Sequence, residues 1–208
     1  MGDYQARFRE NVRVKIPCVT RLAVIKNMKY KRQITTSFLF IVFVLNVMGR
    51  RQNSPEILEW RTMRINNKLP LLCKKVDLLD LLGKPNQILD PQNLDICTSY
   101  FEENFNYLVW GQSQFESTDS QAVISSVDIE AGKLKLVSPK ITLDNTVTIE
   151  KIKKLFPKSS KMAQEVIIDS KGKVISIKLK ASNKDSDDGW LLFFKSGKLV
   201  RVDYWIAC

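Results

Sequence analysis

The sequence predicts an α+β fold: two tandem repeats, each a helical element plus a three- or four-stranded antiparallel meander, with the helices packed on one face of the sheet. Three observations predict it. Apolar residues recur at helical spacing twice, at Leu72, Val76, Leu79 and Leu82 and again at Ile149, Ile152, Leu155 and Phe156. Each run stops at helix-breaking residues and is followed by an aromatic, β-branched stretch and a closing Val-Asp strand. The spacing also agrees, with 44 residues from Gly83 to Val127 and 45 from Pro157 to Val202, a period of about 75.

In chain order, residues 1–27 read as an upstream extension and 28–49 as a signal peptide or signal anchor. Met28-Lys-Tyr-Lys-Arg-Gln supplies a basic start, and Phe38 to Met48 is an apolar run of 11 residues. A spanning helix needs about 20, whereas the apolar region of a signal peptide needs about 7–15. Val47 and Gly49 suit positions −3 and −1 of a cleavage site. Arg50–Arg51 directly after them would suit the alternative, an uncleaved anchor through residues 36–48. The protein is thus expected to be exported, periplasmic or envelope-associated.

Residues 50–66 read as a linker. Repeat 1 (67–139) holds a helix from Leu71 to Leu82 ending at Gly83-Lys84-Pro85, then strands around Phe105–Gly111 and Ala122–Ile129. Repeat 2 (140–208) opens with Thr148 as N-cap of a helix ending at Pro157. A hairpin follows from Val166 to Lys180, turning at Asp169–Gly172, and a second from Trp190 to Ile206, turning at Ser196–Gly197. Period 2 places Ile175, Ile177, Leu179, Val200, Val202, Tyr204 and Ile206 inward, with Val123, Val127 and Ile129 in the first half. Lys178, Lys180, Arg201, Asp203 and Trp205 face outward, as does Asp128. Exposed Trp and Arg are the types that anchor interfaces, so these five residues are the candidate partner-binding row.

The formal charge of +11 does not point to nucleic acid. Residues 1–49 hold nine basic and two acidic residues, and residues 50–208 hold 24 and 20. No basic cluster with interleaved aromatics stands out. The absence of histidine removes Ser–His–Asp and Cys–His catalysis and His-containing zinc sites. Beyond the leader lie Cys73, Cys97 and Cys208, which permit one disulfide and one free thiol. Asn183–Gly189 misses the calcium-loop pattern, with Gly at position seven and Phe194 at twelve. Asp128 and Asp203 sit at matching places in the two halves and are expected to be well separated and solvated. No catalytic residue, metal or cofactor is expected.

The helix ending at Leu82-Gly83-Lys84-Pro85, the aromatic stretch and the final Val-Asp strand resemble the BamE/SmpA-like small envelope proteins. The tandem arrangement is similar to the β-lactamase inhibitory protein-like duplication of that unit. The likeness covers Asn67–Cys208, and no lipid-acceptor Cys ends the leader here. It implies a non-enzymatic protein-binding module outside the cytoplasm: an inhibitor, an immunity-type protein or an envelope-assembly accessory. The alternative is a small-ligand or lipid-binding envelope protein. A protein partner is expected, with membrane contact only through an uncleaved leader.

Overall fold

Alternation of buried and exposed residues shapes the chain, and the regular structure of the described residues is mostly antiparallel β-sheet. The computed structural model describes residues 56–94, 98–168, 170–183 and 187–207. The expected leader and its expected cleavage site, together with Cys97 and Cys208, lie outside the described residues. Among those described, no helix is long and apolar enough to cross a membrane.

Among the described residues, thirteen strands form two sheets. The smaller has the order β2 (Leu69–Pro70), β1 (Arg64–Ile65), β8 (Leu136–Val137), β9 (Thr142–Leu143). The larger runs β10 (Gln164–Ile168), β11 (Gly172–Lys180), β12 (Gly189–Lys195), β13 (Lys198–Trp205), β7 (Gln121–Asp128), β6 (Ser113–Ser117), β5 (Asn106–Trp110), β4 (Gln87–Leu89). Its ninth strand, β3 (Leu72–Lys74), pairs with β7 at Ala122 and its neighbours, while β13 pairs further along at Ser126 to Asp128. The two strands therefore fork along one edge of β7. Local chemistry sets the hairpins. Lys195 faces Lys198 across a two-residue turn in which Ser196 and Gly197 both have positive φ, the geometry that matches strand twist.

The expected α+β architecture, tandem repeats of a helix plus a meander, does not form. Among the described residues the α-helices are three and short: α1 (Lys75–Leu82), α2 (Ile149–Leu155) and α3 (Pro157–Ser160). Residues 72–74, read as the first helical turn, are strand β3, because Leu71 and Cys73 alternate into the core while Leu72, Cys73 and Lys74 pair along β7. Only Leu78 of α1 is buried, so a helical layer does not cover the sheet. The inner face is instead covered by Leu58, Met63 and Ile65, by Leu136 and Leu143 of the small sheet, and by Ile149, Ile152 and Phe156. Residues 56–66 are thus part of the core and not a linker. Trp190, fully buried, donates its Nε1–H to the Leu58 carbonyl at 2.7 Å and fastens that segment.

Two of the inward assignments fail for one reason. Register shifts interrupt the alternation opposite Gln114/Phe115 and at Phe193/Phe194, and each extra residue exchanges the faces beyond it. Val123 is consequently buried outside the main core, and Val200 joins Val174 and Phe193 in a separate apolar cluster. Ile175 lies next to the edge strand and stays 40% exposed.

Candidate functional site

On the outer face of the large sheet, Lys178, Leu191, Asp203, Ser126 and Gln114 form one row across β11, β12, β13, β7 and β6. The next row is Lys180, Gly189, Trp205. A Cβ on Gly189 would stand 2.5 Å from the Leu179 carbonyl oxygen and 3.3 Å from Lys178 Cε. The backbone carbonyl leaves room only for glycine, the Lys178 stem passes close by, and its ammonium sits 3.6 Å from the centroid of the Trp205 ring. Burial pulls the pKa of Lys178 below the usual lysine value, against the opposing influence of Asp187 and Asp188. Arg201, two residues before Asp203 and on the same face, donates from Nε to Asp203 Oδ1 at 2.6 Å. Burial nonetheless raises the Asp203 carboxyl above its ordinary value, with Arg201 opposing the shift.

Four of the five residues chosen from the sequence therefore form two contacts side by side, Lys178 with Trp205 and Arg201 with Asp203. Lys180 is exposed at the rim, and its carbonyl accepts the Leu58 N–H. Trp205 keeps part of its surface open.

Three features of the large sheet, two on this face and one on the inner side, were not read from the sequence. Glu116 is buried on β6 and accepts the N–H groups of Tyr100 and Phe101 at 2.7 and 3.1 Å, which ties the loop before β5 down. Burial raises its carboxyl, and those two bonds oppose the rise. Lys171, in the β10–β11 turn, reaches Asp128 at 3.0 Å and Glu130 at 2.7 Å. Burial alone would lower the Lys171 pKa, but bonds to Glu130 and Asp128 outweigh it and raise it. Thirdly, Trp60 stacks on Trp190 and Tyr100 and packs against Tyr204, with ring centroids 5.4, 6.3 and 3.9 Å away. The partners in each case lie far apart in the chain, so no local spacing signals them.

Asp128 and Asp203, expected to be well separated, stand on neighbouring strands: Asp128 is opposite Arg201, and Asp203 opposite Ser126. Asp128 is buried and not solvated. Each carboxylate has its own cation, Lys171 for Asp128 and Arg201 for Asp203. Among the described residues no three Cys, Asp or Glu side chains gather as a metal set, and Cys73 is a buried thiol whose pKa burial pushes up to about 11. A thiol held protonated at neutral pH is a poor nucleophile. The chain matches no family model, no curated protein and no solved structure, so the likeness to small envelope proteins rests on the residues quoted for it.

Proposed function

We propose that this protein is a non-enzymatic, extracytoplasmic protein-binding module, an inhibitor, immunity-type protein or envelope-assembly accessory, and that the outer face of β11–β13 is its contact surface. The observation that carries this reading is the fixed posture of Trp205. An indole held by a cation on one side and still part-open to solvent loses little rotamer freedom on binding. Trp and Arg supply most strong interface anchors, and here Arg201 is already held by Asp203. Export is supported by the basic start and short apolar run upstream.

A photo-crosslinking residue at position 205 of the full chain, expressed in its native cells, tests the reading. One discrete protein adduct is expected, absent when the label is moved to exposed Ile88 on the opposite edge strand and weakened by Arg201→Ala. Adducts no different from those at position 88 would overturn it.

A further inference from the structure

The charge of the domain is not spread evenly. Residues 149–163 carry Lys151, Lys153, Lys154, Lys158 and Lys161 against Glu150 alone. The rest of residues 50–208 holds nineteen basic and nineteen acidic residues, so this one segment accounts for the net +4. It consists of α2, α3 and the turn after them. Ile149, Ile152 and Phe156 bury its inner side, and all five lysines are exposed. Met162, 77% exposed, sits beside Lys161, and Ile167, 59% exposed, lies just beyond on the edge strand β10. A basic rim with protruding apolar side chains suits an interface that is anionic outside and apolar beneath.

The chain also arrives at this patch. The Glu56 carboxylate accepts the N–H groups of Lys158 and Ser159 at 2.7 and 2.6 Å. Seven residues, including Arg50 and Arg51, separate Glu56 from Met48, the last residue of the apolar run. Seven residues reach at most about 25 Å. A bilayer holding that run would therefore lie within reach of the lysines. The opposite end of the large sheet has the opposite sign: residues 76–119, which carry β4 to β6, hold eight acidic residues and one lysine.

We propose that the α2–α3 face is a docking surface for an anionic lipid bilayer, a second membrane contact besides the leader, and that the acidic end of the sheet points away from it. One apolar segment joined to a polybasic patch is the pairing that converts marginal membrane binding into stable binding. The surface is distinct from the Trp205 face and does not depend on that face binding a protein.

Lysine acetylation of the full chain, followed residue by residue by mass spectrometry on vesicles, tests this. On vesicles of 30% phosphatidylglycerol in phosphatidylcholine, labelling of the five lysines should slow several-fold, while exposed Lys84 at the acidic end should not change. The slowing should vanish on pure phosphatidylcholine and in high salt. Replacing Lys151, Lys153, Lys154 and Lys161 by Gln should weaken the anionic-vesicle component of binding on the order of 100-fold. Equal slowing at Lys84, equal slowing on neutral vesicles, or none at all would overturn the proposal. Unchanged amide exchange in β12 would show that the quadruple variant is folded.

Discussion

Strands β4–β7 and strands β10–β13 are the two wings of one sheet, and they solve the burial of their outer faces differently. On the β10–β13 wing the buried residues are apolar: Val174, Phe193 and Val200, with Val166, Ile168 and Leu191 partly buried around them. On the other wing they include Glu116, Ser126 and Asp128. Apolar packing is non-directional, whereas a buried charge is tolerated only with partners in the right place. The first wing can thus be held by volume alone, and the second is held by bonds to residues from elsewhere: Tyr100 and Phe101 for Glu116, Lys171 for Asp128. Lys171 comes from the first wing, so the ion pair also straps the two wings together.

The sharpest way to test this contrast is to remove the centre of the apolar cluster. Phe193→Ala should cost about 4 kcal/mol in urea unfolding, with no dependence on salt. Breaking the strap comes next: Lys171→Met leaves Asp128 buried without its cation and should cost about 3 kcal/mol. The double variant Asp128→Leu with Lys171→Met should recover most of that loss, because no unpaired charge remains. If the double variant is as unstable as the sum of the two single ones, the pair is not the connection described here. The smallest effect is a pH dependence. Glu116 has a raised carboxyl in the folded state, so the folded protein binds the proton more readily than the unfolded chain does. Its contribution therefore makes stability fall as pH rises from the unfolded value of 4.5 through the folded one. Glu116→Gln should flatten that slope, and Asp203→Asn should remove a separate part of it from the other wing. An unchanged slope in Glu116→Gln would assign the dependence elsewhere.

Much of the local structure was legible. Strands β10 to β13 lie within a few residues of the hairpins expected from Val166 onward, and the Ser196–Gly197 turn is where it was expected. Thr148 caps α2 through its hydroxyl to the Lys151 N–H, and α1 ends at Gly83, whose φ of 76° suits glycine. The face of the candidate residues was also readable from period 2, since Arg201, Asp203 and Trp205 all lie on the same side of the shift in β13, and β11, which carries Lys178, has none. Val123 and Val200 were not readable, because a single extra residue in a strand leaves no mark on composition. The concentration of lysines at 151–161 was present in the sequence throughout. An average of charge over the whole of residues 50–208 hides it.

By itself, then, the sequence determined what short-range sterics and spacing control: turns, helix stops, the alternation within each strand and the chemistries that a chain without histidine lacks. Only the tertiary structure decided that β13 would lie against β7, that β3 would fork from the same edge, and that the result would be two sheets with few helices instead of repeated helix-and-meander units. The reason is physical. A strand's own residues specify that it will pair, but its partner is chosen by which long-range arrangement buries the most apolar surface while leaving no buried charge without a mate. That choice depends on residues a hundred positions away, as Leu58 under Trp190 illustrates.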